Sequence, residues 1–117
     1  MDKKDLKVGT RCFGVEVIRF SATLPNEMPY WVIGKQLVRS ATSVGANYRS
    51  ACRGKSRKDF IAKLAIVEEE ADESQYWLEL LDTMGGIDGT QLRSLHREAG
   101  ELTAIMVASR KTARAHS

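Results

Sequence analysis

The sequence predicts an all-α fold: an antiparallel up-down four-helix bundle, with residues 1–117 forming a single domain. Three observations predict it. Apolar residues recur at helical spacing through most of the chain, and no segment alternates as a strand would. Both prolines, Pro25 and Pro29, fall before residue 30, so nothing after them forbids long helices. The breaks between helical segments are short, which favours antiparallel neighbours.

The first helix reads from about Lys7 to Ala22, with Phe13, Val17 and Phe20 on one face. The stretch TLPNEMPYW, with its two prolines, then interrupts the pattern. The second helix reads from about Tyr30 to Arg53, with Leu37, Ala41, Val44, Tyr48 and Cys52 at heptad-like spacing. Its middle holds Ser40, Ala41, Ser43, Gly45 and Ala46. An interior glycine costs about 1 kcal/mol relative to alanine. Close approach of a neighbouring helix would offset that cost.

The third helix is the clearest, from Arg57 to Met84. Phe60, Leu64, Val67, Ala71, Ser74, Leu78 and Leu81 alternate spacings of four and three, and Gly85-Gly86 supply a left-handed cap. At its rise per residue this helix is about 40 Å long. The fourth starts near Asp88–Thr90 and continues through Leu92, Leu95, Ala99, Leu102, Ile105, Met106 and Ser109. The tail from about residue 110 is basic and expected to fray.

Composition narrows the function. The two cysteines, Cys12 and Cys52, form no CxxC pair, so neither a disulfide framework nor a zinc site is expected, and a reducing cytoplasm is the plain reading. The N-terminus has no uninterrupted apolar core for a signal peptide, and the longest apolar runs are too short to span a bilayer. The formal charge is +3, but it is segregated. Residues 1–55 carry ten Lys/Arg and four Asp/Glu, residues 56–88 three and nine, and residues 89–117 five and two. Such a chain can present one basic surface while pairing acidic and basic faces elsewhere.

The stretch CRGKSRKDF, residues 52–60, contains Gly54-Lys55-Ser56, the end of a phosphate-binding loop. That loop needs a glycine five residues before Gly54 and a preceding strand. The position holds Arg49, inside a helix, so nucleotide hydrolysis is excluded. Instead Gly54 ends one helix, and Ser56 caps the next with Asp59 three residues on. The turn gathers Arg49, Arg53, Lys55, Arg57 and Lys58 at one end of the bundle, where they could neutralise phosphates. A solvated, charged loop is the simpler alternative.

The segment LVRSATSVGANYRSACRGKSRKDFIAKLAIVEEEADESQYWLELL, residues 37–81, resembles the four helix bundle protein family, also called the rRNA intervening-sequence or S23 ribosomal protein family. The resemblance rests on the RSATSVGANYR helix, the basic turn, KxxFIxKL and the EEAxExxYWLELL run. It extends more weakly over the first and last helices. The resemblance implies a cytoplasmic bacterial bundle that assembles as a ring-like homopentamer. It implies association with nucleic acid or ribonucleoprotein, and no reaction. Some relatives are encoded within insertions in large-subunit rRNA genes. A more distant structural relative is the accessory protein of diversity-generating retroelements, which binds nucleic acid and a reverse transcriptase. On this basis Arg39, Asn47, Arg49, Arg53, Lys55 and Lys58 are carried over as candidate binding or scaffold residues.

Other clusters are weaker. The acidic run from Glu68 to Glu73 lacks the inward Glu-x-x-His pairs of bundle metal sites, so a solvated or salt-bridged face is expected. His96 reads as a surface residue, and no serine has a neighbouring His/Asp pattern to activate it. Tyr48 and Trp77 read as core, and Tyr30-Trp31 as an exposed or intersubunit aromatic patch. The expectation is a non-enzymatic homo-oligomer without cofactor or metal. It binds structured RNA or DNA through Arg39, Asn47, Arg49, Arg53, Lys55, Arg57 and Lys58, helped by Arg93 and Arg97. The alternative is a scaffold for a nucleic-acid-processing protein partner, whose basic face makes intersubunit salt bridges.

Overall fold

The structure, a computed structural model, describes residues 2–116. These residues form α1 (Lys3–Ser21), α2 (Met28–Cys52), α3 (Arg57–Met84) and α4 (Gly89–Ala115), with no strand among them. The helices run up-down-up-down in a rod of 48 × 20 × 19 Å. Each packs closely on its neighbour in sequence, α1 and α4 touch much less, and the backbones of the diagonal pairs stay apart. No helix of the described residues is long and apolar enough to cross a membrane.

The core follows the predicted stripes. Phe13, Val17, Leu37, Val44, Tyr48, Leu64, Val67, Leu78, Leu81, Leu95 and Met106 are all buried. Burying side chains of this size is worth about 1.5–3 kcal/mol each before the entropy of ordering them is charged. Small residues let the backbones close up. A Cβ added at Gly45 would lie 3.2 Å from the Thr10 carbonyl oxygen. Between α2 and α3 the buried Ser40 and Ser74 hydroxyls meet at 2.9 Å, and Ser74 also reaches the Glu70 carbonyl.

Helix ends differ from the sequence reading in three places. First, α1 begins at Lys3 instead of near Lys7. Asp2 and Asp5 close a reciprocal capping box there, with the Asp5 N–H donating to the Asp2 carboxylate at 2.9 Å. Second, α4 continues to Ala115 instead of fraying from residue 110, because the Arg110 guanidinium is tied to Glu68 on α3. Third, Gly54 ends α2 without the left-handed conformation common at that position; among the described residues only Gly85 (φ 72°) and Gly86 (φ 77°) have positive φ. Gly54 is needed for space. A Cβ there would sit 2.8 Å from Asp59 Oδ2 and 3.0 Å from the Ala51 carbonyl oxygen. Ser56 caps α3 by accepting the Asp59 N–H at 3.1 Å. At the opposite end the half-buried Tyr30 donates its hydroxyl to the Gly85 carbonyl at 2.9 Å, tying the start of α2 to the end of α3.

The loosely packed α1–α4 seam holds a carboxyl pair. Burial first, then a hydrogen bond to Glu16 and the charges of Glu16 and Glu101, push Glu98 up to about 7. The folded state therefore keeps a proton that the unfolded chain releases near the ordinary glutamate value of about 4.3. With the folded pKa raised, stability falls as pH climbs from about 4 through 7 and stays reduced above that. Glu98→Gln is expected to raise the melting temperature clearly more at pH 8 than at pH 5 in thermal circular dichroism. An equal gain at both pH values would remove the shared proton.

Candidate nucleic-acid interface

Topology turns the charge segments of the sequence into a gradient along the rod. The N-termini of α1 and α3 and the C-termini of α2 and α4 lie at one end. That end collects Lys3, Lys4, Lys7 and Arg11 from α1, and Arg49 and Arg53 from α2. The turn adds Lys55, α3 adds Arg57, Lys58 and Lys63, and α4 adds Arg110, Lys111 and Arg114. These are thirteen of the eighteen Lys/Arg, against four of the fifteen Asp/Glu, namely Asp2, Asp5, Asp59 and Glu68, the partner of Arg110. The rest of the rod holds five basic and eleven acidic residues and is strongly negative.

Pairing sharpens the contrast. Arg39 bonds Glu70 at 3.3 Å and also engages Glu73, and Arg110 engages Glu68. The acidic run of α3 is thus partly a salt-bridged face, as expected from its sequence. By contrast the side chains of Lys7, Arg11, Arg49, Arg53, Lys55, Arg57 and Lys58 have no ion-pair or hydrogen-bond partner among the described residues. Lys7, Arg11, Arg49 and Arg53 line one groove of about 510 Å³ between α1 and α2. Its walls are Gly14, Gly45, Thr42 and Ala46, with Val15 and Ile18 at the edge, and no carboxylate lines it. Each helix contributes basic residues four apart, so both pairs face the same side.

The predicted set therefore divides. Arg49, Arg53, Lys55, Arg57 and Lys58 are exposed and share one end of the rod. Asn47 is half-buried, and its amide donates to the Ser43 carbonyl of its own helix at 2.9 Å. Arg39 is a link between α2 and α3 and not a free cation, because α3 presents Glu70 and Glu73 opposite it. Arg93 and Arg97 lie on the first half of α4, toward the acidic end, where Arg93 shares a hollow with Glu79, Asp82 and His96. The antiparallel course of α4 removes them from the basic end. Lys7 and Arg11, not named from the sequence, join this groove; their i,i+4 spacing is visible in the sequence, but their approach to Arg49 and Arg53 depends on the α1–α2 register.

The remaining aromatic and histidine readings also have places. Trp31 is exposed with the Lys35 ammonium 5.3 Å above its ring, whereas Tyr30 is held in the bundle-end contact. His96 is part-exposed and pairs with Glu79 at 2.8 Å.

The model of the family described as 23S rRNA-intervening sequence protein matches residues 4–108. Among solved structures, the fold is similar to the crystal structure of a protein of unknown function from the S23 ribosomal protein family of Bacteroides thetaiotaomicron. The two share 37% sequence identity with a TM-score of 0.86, over 95% of this chain and 99% of that one. No curated protein matches this chain.

Proposed function

This chain belongs to the 23S rRNA-intervening sequence protein family, and from that membership we propose a non-enzymatic, self-assembling bundle that binds structured RNA or DNA in the cytoplasm through its basic end. The observation that carries the reading is the charge gradient, with thirteen basic and four acidic residues at one end. Most of those cations are unengaged and face water, which is the arrangement a phosphate backbone attracts. Arg49, Arg53, Lys7 and Arg11 supply the contacts of the α1–α2 groove. Lys55, Arg57 and Lys58 supply those of the turn. Such contacts read shape and charge and carry little sequence preference.

Fluorescence anisotropy with labelled structured RNA and duplex DNA tests the reading. Arg49→Ala with Arg53→Ala is expected to weaken binding about tenfold or more at low salt. Losing two phosphate contacts would flatten the slope of log affinity against log salt by about 2. Both side chains are exposed, so helix content should not change. Unchanged affinity in the double variant would refute the site. No binding even at low salt would shift the basic end to the docking of a nucleic-acid-processing protein.

Self-assembly, with a ring of five copies as the form the family resemblance implies, has its own support. Val8, Val15 and Ile18 on α1 and Ile66, Tyr76 and Met84 on α3 remain exposed, leaving two apolar strips for neighbouring copies. Ile66→Asp with Tyr76→Asp is expected to reduce the particle to a smaller species in light scattering. An unchanged mass would place the contacts elsewhere.

A further inference from the structure

The basic end also contains a hollow that phosphate contacts alone do not require. A cleft of about 970 Å³ opens where the four helix termini meet. Its floor is apolar: Leu6, Tyr48, Ala51, Phe60 and Ile105. Leu6 and Tyr48 are buried, whereas Phe60 and Ile105 keep part of their surface open. Burial, reinforced by the neighbouring Cys52, raises the Tyr48 phenol above its ordinary value, so the floor stays neutral. Its rim is polar, with two cations, Lys3 and Arg57, beside Ser56, Ser109, Thr112 and His116, and Asp2 as its one carboxylate among the described residues. The Lys3 ammonium already sits 4.6 Å from the centroid of the Phe60 ring.

An apolar, aromatic floor beneath a polar rim that carries two cations matches a flat aromatic group joined to phosphate. A base within a duplex is stacked and paired and cannot enter such a hollow. A base in a loop, bulge or single-stranded end can. We propose that the cleft receives one unpaired base of the bound nucleic acid, stacked against Phe60 in place of the Lys3 ammonium, while Lys3 and Arg57 hold the flanking phosphates. The proposal rests on the nucleic-acid reading above and narrows it, from any polyanion to nucleic acid with unpaired nucleotides.

The test compares two labelled RNAs with equal numbers of phosphates, a hairpin with a six-nucleotide loop and a fully paired blunt duplex. A 2-aminopurine in the loop reports stacking by loss of fluorescence. Ala108, exposed at the edge of the cleft, allows it to be filled without cutting the core, so Ala108→Trp is the main variant. Phe60→Ala is the second, with folding of both checked by circular dichroism.

The hairpin is expected to bind about tenfold tighter than the duplex, in the range that stacking on an aromatic side chain supplies. Ala108→Trp should abolish that advantage and the fluorescence change while leaving duplex affinity as it was. Equal affinity for both RNAs, or discrimination that survives Ala108→Trp, overturns the base cleft. The phosphate reading then still stands, provided that the duplex binds and the Arg49/Arg53 variant weakens it. Competition by free adenosine monophosphate at micromolar concentration would make the cleft a small-nucleotide site and overturn the proposal too. Failure of both RNAs to bind at low salt sinks it together with the reading beneath it.

Discussion

Phe13→Ala is expected to lower the free energy of unfolding by about 3–5 kcal/mol. Phe13 is completely buried on the inner face of α1. Truncation removes the transfer energy of the ring and leaves a cavity that the neighbouring helices close only in part. The total stability of a domain is about 5–15 kcal/mol, so the variant should approach the limit of a stable fold. Urea denaturation followed by circular dichroism measures the loss. Cys12→Ala, at an exposed position of the same helix, provides the contrast and should stay within about 0.5 kcal/mol. A loss below 1 kcal/mol for Phe13→Ala would mean that α1 is not seated on the core as the structure shows.

Gly45→Val carries the second large effect, through the backbone contact between α1 and α2. A Cβ at this position lies 3.2 Å from the Thr10 oxygen and 3.3 Å from its carbon, and neither backbone atom can rotate away. Valine adds two methyl groups beyond that Cβ, so the helices must separate. The expected cost is about 1–3 kcal/mol. Gly45→Ala sets the same squeeze against a gain of about 1 kcal/mol in helix propensity, and should be nearly neutral. The valine variant has a second readout. Widening the groove moves Lys7 and Arg11 away from Arg49 and Arg53, so affinity for duplex DNA should fall even where the protein remains folded. A valine variant as stable as the parent would contradict the close approach.

The parts that sequence alone revealed are those set by local period. The α3 seam from Leu64 to Leu81 is buried as its spacing predicts, and even Ser74 lies inside it because Ser40 meets it there. The small residues of α2 pointed to close packing, and Gly45 supplies it. What escaped depended on other helices. The start of α1 turns on a reciprocal Asp2–Asp5 cap in a stretch that reads as merely charged. The last turns of α4 depend on Glu68, more than forty residues earlier in the chain.

The site divides on the same principle. The clustering of Arg49, Arg53 and the turn cations at one end was readable because they are close in sequence. Arg39 looked like one of them, but its fate is decided by Glu70 and Glu73 on the facing helix. Arg93 and Arg97 were named as helpers of the basic set but lie toward the other pole, because net charge by segment does not say which way a helix runs. Lys7 and Arg11 needed the register of α1 on α2 before they could join the groove.

The gradient along the rod has a consequence for assembly. Rotation about a cyclic axis never exchanges the two poles of an object lying along that axis. A closed ring whose rods stand parallel to its axis therefore gathers every cationic pole on one rim and every anionic pole on the other. The rim's charge grows with each added copy, whereas a two-fold that reverses the rods would cancel it. Subunit number would then act as a multiplier of counterion release, making the steepness of the salt response a measure of how many copies meet the polyanion at once.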